Sequence, residues 1–200
     1  MRKPAVTATE RLYRIVEDGM CIGCGLCESI AGREAVQMHT AQTGYERPLV
    51  VGELGQETVD EIYDVCPGLR LDSLPDRLID ADTIIDPVWG PYKYMVSAHA
   101  TDEGTRTKAA SGGVLTALCK YLIDTRRVDF ILHARPSTRD VTFGDAHISL
   151  TTRDVEDGTG SVYGPTAPLK DIRAILDRGQ PFAFVGKPCD ISALRNYAKF

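Results

Sequence analysis

Three cysteines within seven residues constrain this chain more than any other feature of its sequence. The motif CIGCGLC holds Cys21, Cys24 and Cys27, separated by two-residue spacers that each contain a glycine. Such spacers let the backbone curl around one metal centre, and glycine permits the left-handed φ angles that turn backbone N–H groups toward sulfur. The motif therefore predicts that the N-terminal region folds around a metal or redox centre.

A 4Fe–4S cubane needs a fourth thiolate, and a remote cysteine followed by proline is a common source of it. Cys66 precedes Pro67 and forms the only Cys-Pro pair of the N-terminal region. The ferredoxin continuation with a fourth nearby cysteine is absent, because Ser29–Ala31 follow Cys27 instead. We therefore expect one 4Fe–4S cluster in this region, bound by three local ligands and one remote one.

Zinc is the main alternative to a cluster, and a thiol redox site is a weaker one. Structural zinc sites usually combine two separated C-x2-C knuckles, whereas the knuckles overlap here. A thioredoxin-type C-x-x-C motif lies between a strand and a helix, which is not predicted for this motif. Both alternatives stay open at the level of the sequence.

Composition excludes several broad classes of function. The chain has 200 residues, of which 43% are hydrophobic and 26% charged, and its net charge is −5. These values are ordinary for a globular protein, and no basic face is evident, so neither nucleic acid nor an anionic membrane is an expected partner. No apolar run is long enough to span a bilayer, and the N-terminus lacks a secretory signal. We expect a cytoplasmic protein whose clustered cysteines serve metal or redox chemistry.

Residues 1–85 are turn-rich and hold four of the six cysteines. Residues 36–51 predict two short strands around a glycine turn, and residues 56–66 predict a helix that ends at Cys66. We interpret residues 1–85 as a cluster-binding module. Its apolar content is small, so we expect a bound cofactor to help hold it together.

The segment DPVWGPY, residues 86–92, is the predicted boundary of this module. Beyond it, strands and helices are predicted to alternate. The predicted strands are 94–100, 128–134, 146–152 and 181–186; the predicted helices are 111–125, 167–179 and a last one capped by Asp190. This alternation predicts an α/β (α+β) chain, in which the small module precedes a mixed, largely parallel sheet. The last helix stops at Phe200 without a C-cap, so we expect a fragment of a longer protein.

Two loops contain candidate ligand-binding residues. In the first loop, Ser111 can cap a helix, and Gly112 and Gly113 leave its first amides free for a phosphate group. Close packing of two glycines is an equally good interpretation. In the second loop, Gly186 and Lys187 follow an apolar strand, and ligands of open α/β sheets gather at such strand ends.

Other polar groups carry less information. Cys189 follows Lys187 and is as consistent with a buried structural cysteine as with a site residue, while Cys119 is expected to be structural within a helix. The segment GTGSVYG, residues 158–164, lacks the spacing of a dinucleotide-binding loop and predicts a turn. The histidines are scattered, and His99 and His133 are expected as core or edge residues of strands. No catalytic triad or carboxylate pair is found, so the catalytic residues are unknown.

Several blocks of the chain together resemble the coenzyme F420 hydrogenase/dehydrogenase beta-subunit family, which includes 7-hydroxymethyl chlorophyll a reductases. They occur in family order over nearly the whole chain: CIGCGLC, CPG, DPVWGPY, RTKAASGGVLTALCKYLI, GSVYGPTAPL and FAFVGKPCDISALR. The resemblance implies an iron–sulfur flavoprotein oxidoreductase. Such proteins pass electrons between FAD, 4Fe–4S clusters and a two-electron partner.

The resemblance also implies roles for individual residues. The cluster ligands are Cys21, Cys24, Cys27 and Cys66, with Cys189 as a ligand of a further cluster or a neighbour of the flavin. The implied flavin-binding residues are Ser111, Gly112, Gly113, Gly186 and Lys187. Residues 86–170 correspond to the family's N-terminal α/β domain, and residues 171–200 to the start of a truncated flavin and cluster domain. The family's later cysteines lie beyond this chain, which leaves a second cluster in doubt.

The expected redox partner is coenzyme F420, ferredoxin or a partner subunit. A non-catalytic electron-transfer subunit and a zinc-stapled structural module are the alternatives. No residue of the sequence selects the physiological substrate.

Overall fold

The computed structural model describes residues 6–199, so the predicted end of the last helix at Phe200 lies outside the described residues. The helices are α1 (Ala8–Glu17), α2 (Leu26–Ala31), α3 (Gln56–Val65), α4 (Glu103–Lys108), α5 (Val114–Asp124), α6 (Thr152–Asp157), α7 (Ile172–Leu176) and α8 (Pro188–Ala198). The strands are β1 (Val36–Thr40), β2 (Glu46–Val50), β3 (Ile84–Asp86), β4 (Gly90–Tyr92), β5 (Phe130–Pro136), β6 (Gly144–Ser149) and β7 (Phe182–Phe184). Single 3-10 turns lie at Asp76–Leu78 and Ala110–Gly113.

Helix α1 was not predicted, although its signals are present in the sequence. Thr7 and Glu10 form a capping box in which each side chain accepts a hydrogen bond from the other residue's backbone N–H. Leu12 and Ile15 lie three residues apart and are both buried. This capped, one-sided pattern is typical of a surface helix that packs on a core.

The N-terminal strands and helix were predicted correctly. β1 and β2 form an antiparallel hairpin in which Val36 pairs with Val50, around a turn that contains Gly44. Helix α3 buries Val59 and Ile62 and ends where Cys66 leaves the helical conformation. The hairpin was predicted from two short strands around a glycine turn. Helix α3 was predicted from its apolar spacing and from the proline that follows Cys66.

The α+β class is confirmed, and the three-stranded sheet is mixed, with strand order β6-β5-β7. The predicted largely parallel pairing is wrong: β5 pairs with β7 in parallel but with β6 in antiparallel fashion, and both two-stranded sheets are antiparallel. Only a short loop joins β5 to β6, which permits a hairpin, whereas α6 and α7 provide the longer crossover that a parallel neighbour needs. β6 is an edge strand of this sheet.

Three further predictions are corrected. Residues 94–100 form no strand ladder, and the consecutive apolar residues Tyr94, Met95 and Val96 are exposed rather than buried in a sheet. Helix α7 is shorter than the predicted 167–179. Asp190 is not the cap of α8: Pro188 opens the helix, and the Asp190 carboxylate accepts a hydrogen bond from the backbone N–H of Lys187.

One apolar core connects the N-terminal region with the C-terminal elements. Leu12 of α1 and Ile62 of α3 belong to the same buried cluster as Leu132 of β5, Ile172 of α7 and Leu194 of α8. The small apolar content of residues 1–85 is therefore supplemented by α7 and α8. The predicted domain boundaries stay a prediction.

Among the described residues, no helix combines the length and the apolar character needed to cross a bilayer. The cytoplasmic location stays a prediction.

Candidate functional site

Four cysteines line one small apolar cavity, which we call the cysteine pocket: Cys21, Cys24, Cys27 and Cys66. The first two lie in the loop between α1 and α2, the third in the first turn of α2, and the last directly after α3. Apolar side chains of α1, α2 and α3 complete the wall. The structure thus brings together the four residues that the sequence singled out as cluster ligands.

Glycines fix the path of the loop around this pocket. Gly23 and Gly25 have φ angles of +74° and +85°, and Gly25 is the N-cap of α2. A Cβ atom on Gly23 would lie 2.8 Å from the carbonyl oxygen of Glu46, and one on Gly68 would lie 2.3 Å from that of Met20. The loop needs glycine both for its left-handed angles and for close backbone contacts.

Burial governs the protonation of the thiols. It raises the pKa of Cys27 to about 12 and also raises the pKa of Cys24 and Cys66. Backbone N–H groups of Gly68 and Leu69 hydrogen-bond to the Cys66 sulfur and act in the opposite direction. In such a shell thiolates are favoured only around a positively charged centre.

A second and larger cavity of about 600 Å³ lies beside the sheet, and we call it the large cavity. Three segments form most of its wall: 110–116 at the start of α5, the loop 158–164, and 185–187 before α8. Gly113 is the N-cap of helix α5, and among the described residues no side chain caps the first amides of that helix. This leaves hydrogen-bond donors at one end of the cavity.

The structure brings together some of the predicted flavin-binding residues. Ser111, Gly186 and Lys187 all line the large cavity, whereas Gly112 and Gly113 are not among its lining residues. A Cβ on Gly112 would lie 3.2 Å from the His99 side chain, and one on Gly113 would lie 3.0 Å from a backbone oxygen. For these two glycines the close-packing interpretation agrees with the structure.

The two remaining cysteines differ in position. Cys119 of α5 is buried, as predicted, and also lines the large cavity. Cys189 is half-buried at the start of α8 and lines neither the cysteine pocket nor the large cavity. Its role as a ligand of a further cluster or a flavin neighbour stays a prediction.

The loop 158–164 was predicted to be a plain turn, but it contributes to a cavity wall. All seven of its residues line the large cavity. A Cβ on Gly158 would lie 2.4 Å from Cε1 of His133, so the glycine makes room for that ring. The high density of glycine, serine and threonine in this loop was the available signal.

His133 is buried on β5, as expected, and also lines the large cavity. Its Nε2 lies 2.8 Å from Oγ of Ser149. Burial first, and then the nearby His147 and Arg135, lower the pKa of His133 to about 4. The cavity wall therefore presents a neutral imidazole near neutral pH.

A thin wall separates the two cavities. Pro168 lines the large cavity, and the next residue, Leu169, donates its backbone N–H to the carbonyl oxygen of Cys24 over 2.8 Å. Asp190 also lines the large cavity, is 1% exposed, and pairs with Lys187 at 2.7 Å. The cysteine pocket and the large cavity therefore lie next to each other in the fold.

Comparisons with known proteins match this chain to proteins that use coenzyme F420. Residues 95–172 match the model of the coenzyme F420 hydrogenase/dehydrogenase beta subunit, N-terminal region. The F420-dependent formate dehydrogenase subunit beta of Methanocaldococcus jannaschii is 33% identical over 107 residues, which are 54% of this chain and 28% of that protein. The coenzyme F420-dependent sulfite reductase of the same organism is 26% identical over 196 residues, 95% of this chain and 27% of that protein.

A solved structure shows the same relationship. A chain of the xenon-derivatised F420-reducing NiFe hydrogenase complex from Methanosarcina barkeri superposes with a TM-score of 0.54 at 25% identity. The superposition covers 58% of this chain and 40% of that one. The present chain thus spans less than half the length of these relatives, and its residues 95–172 are similar to the N-terminal region of the coenzyme F420 hydrogenase/dehydrogenase beta-subunit family.

Proposed function

We propose that this chain is the cofactor-binding part of an iron–sulfur flavoprotein oxidoreductase that exchanges electrons with coenzyme F420, ferredoxin or a partner subunit. One observation carries the proposal: a shell of four cysteines lies directly beside a large cavity lined by polar loops. Two cofactor sites this close suit the transfer of electrons between them. The names of the relatives, which are F420-dependent enzymes or their subunits, support the same reaction class.

The cysteine pocket fits a 4Fe–4S cluster. It offers four sulfur ligands, an apolar wall and backbone N–H groups directed at Cys66. Within residues 6–199, no three His, Cys, Asp or Glu side chains converge tightly enough to hold a single metal ion. The overlapping C-x2-C spacing with one remote cysteine is typical of a 4Fe–4S cluster rather than of a structural zinc site.

The large cavity fits a flavin such as FAD. Its volume of about 600 Å³ lies within the range of cofactor sites, and Ser111, Gly186 and Lys187 lie on its wall. Lys187 supplies a positive charge at the N-terminus of α8, and the first amides of α5 carry no side-chain cap. These groups would hold the phosphate part of the cofactor.

Flavin, when bound, exchanges two electrons with an organic partner and single electrons with an iron–sulfur cluster. The residues of this chain would bind the cofactor and orient it. Neutral His133 can share a hydrogen bond with a ligand in the cavity, and the Leu169–Cys24 hydrogen bond ties the cavity wall to the cysteine loop.

Metal and flavin analysis tests the proposal directly. The natural full-length protein is purified without oxygen, and iron, acid-labile sulfide, zinc and flavin are quantified per chain beside the visible spectrum. A matched Cys24→Ala variant identifies the part of the iron that the cysteine pocket holds. We expect about four iron and four sulfide per cluster, a flavin spectrum, and loss of one cluster in the variant.

Other results would lead to different functions. Iron and sulfide without flavin would contradict the flavoenzyme and leave a non-catalytic electron-transfer subunit. Zinc that disappears in Cys24→Ala, without a change in sulfide, would contradict the redox proposal and identify a structural zinc module.

A further inference from the structure

Residues 74–98 form a long exposed segment, which we call the arm. It contains the hairpin of β3 and β4, and among the described residues every hydrogen bond of the arm is made within it. Hydrogen bonds fix both of its ends: the carbonyl oxygen of Ser73 accepts from Arg195, and Ala100 donates its backbone N–H to Gly112. Because an isolated two-stranded hairpin is only marginally stable in water, the arm needs a surface on which to pack.

The arm carries large apolar side chains that face solvent. Trp89, beside the hairpin turn, is 73% exposed, and Tyr94, directly after the hairpin, is 76% exposed. These two side chains alone offer about 300 Å² of exposed surface. Six apolar residues of the arm are between 61% and 80% exposed: Ile85, Val88, Trp89, Tyr94, Met95 and Val96. Apolar surface of this extent is typical of a protein–protein interface.

Helix α5 presents a second exposed apolar surface, which we call the α5 stripe. Val114, Leu115, Leu118 and Tyr121 recur at helical spacing on one face and are between 39% and 61% exposed. The buried side chain of α5 is that of Cys119, so the stripe lies outside the core. An apolar helix face of this kind is expected to be covered by another element.

We propose that two copies of this chain associate by exchanging arms, so that each arm packs on the α5 stripe of the other copy. Both halves of the interface are present on one chain, and a two-fold axis then pairs every arm with a stripe in a closed dimer. By the same area estimate, the arm and the stripe together reach the roughly 800 Å² per partner that a stable interface buries. The inference goes beyond the proposed function, because it does not depend on which cofactor the chain binds.

The dimer would also affect the large cavity. Leu115 belongs to the α5 stripe and lines the large cavity, and it is 61% exposed. An arm that packs on this residue therefore covers part of the cavity rim of the other copy.

Charged substitutions at exposed positions test each half of the interface. Trp89→Asp disables the arm and Leu118→Asp disables the α5 stripe, so both variants are expected to be monomers. Val141→Asp places the same charge at an apolar residue that is 82% exposed and belongs to neither surface, so it is the matched control. Wild type and Val141→Asp are expected to have twice the mass of the two monomeric variants.

A mixture of the two monomeric variants shows which surfaces meet. In a mixed dimer, the intact arm of the Leu118→Asp chain meets the intact stripe of the Trp89→Asp chain, so mixing should restore part of the association. A contact between two arms would leave Leu118→Asp dimeric by itself, and a contact between two stripes would leave Trp89→Asp dimeric. Either result would overturn the exchange of arms.

The measurement is the mass of the full-length protein by size exclusion with light scattering, over a range of protein concentrations. The fluorescence of Trp89, taken as the difference between wild type and Trp89→Phe, is followed in parallel and should shift to shorter wavelength as the dimer forms. A wild-type monomer would overturn the inference, both where Trp89 is shielded by another part of the full-length protein and where it stays in solvent. If Leu118→Asp fails to fold, the exposed Trp89→Asp decides: a variant that remains dimeric overturns the inference.

Discussion

The cysteine pocket and the large cavity are built in different ways. Three of the four pocket cysteines lie within seven residues, and the apolar core encloses them. The large cavity is assembled from segments around Ser111, Gly160 and Lys187, which are remote in sequence. A site made of local spacing can be predicted from the sequence, whereas a site made of converging loops needs the fold.

The two sites also differ in how tightly their backbones are packed. In the cysteine loop, a Cβ on Gly25 would lie 2.9 Å from the Lys170 side chain. In the cavity loop, a Cβ on Gly160 would meet nothing within 4 Å, and Tyr163 is 96% exposed. The pocket is thus a fixed shell, while the cavity has an open rim that a ligand or another part of the protein can cover.

The largest effect is expected from removing one pocket cysteine. Cys24→Ala should abolish the visible absorbance of the cluster and destabilise the N-terminal region, because the buried ligand cannot be replaced by water. Cys119→Ala removes a buried thiol from the large cavity and is the control for thiol loss. It should retain the full iron and sulfide content. Equal iron loss in both variants would contradict the assignment of iron binding to the cysteine pocket alone.

A steric change tests the rigidity of the cysteine loop. Gly25→Ala must adopt a φ angle of +85° and would also place its Cβ 3.0 Å from the backbone nitrogen of Lys170. Gly19→Ala has φ +74° but open space, so it measures the left-handed strain alone, about 1–2 kcal/mol. Gly25→Ala should cost about 1–3 kcal/mol more in unfolding free energy, as overpacking does. Equal losses of stability in denaturant titrations would show that the loop can shift away from Lys170.

A dependence of stability on pH should originate at the large cavity. The pKa of His133 falls from 6.5 to about 4 on folding, so between these values the unfolded chain binds a proton that the folded chain does not. Stability should therefore decrease as the pH falls from about 6.5 toward 4. Urea unfolding of His133→Gln should show a weaker decrease than wild type. The exposed His39→Gln variant is the control, and an unchanged slope in His133→Gln would contradict the prediction.

The smallest effects are expected from two matched helix caps. Thr7 caps α1 beside the cysteine pocket, and Thr151 caps α6 near the large cavity. Thr7→Ala and Thr151→Ala should each cost about 1 kcal/mol, or about 2–4 °C in Tm. Only Thr7→Ala should also speed the loss of iron on exposure to air, because α1 supplies part of the pocket wall. Equal rates of iron loss in Thr7→Ala and Thr151→Ala would show that the stability of α1 does not affect iron binding in the cysteine pocket.

Much of the molecule could be predicted from its sequence where the signal is local. The hairpin β1–β2, helix α3 with its end at Cys66, and the convergence of four cysteines all followed from spacing and turn residues. The antiparallel pairing of β6 could not be predicted in this way, because strand pairing depends on contacts between segments that are distant in sequence. The loop 158–164 was missed for a related reason: its role depends on His133 and other segments that only the fold brings near.

The close approach of Gly25 to Lys170 has a consequence for exchange of segments between relatives. A Cβ on Gly25 would also lie 3.1 Å from Ala167, so the cysteine loop and residues 167–170 are shaped to each other. If the N-terminal cysteine segment of one relative is transferred to another, we therefore expect folding only when residues 167–170 are transferred as well. In hybrid proteins, and in the evolution of the family, these two distant stretches should behave as one inherited unit.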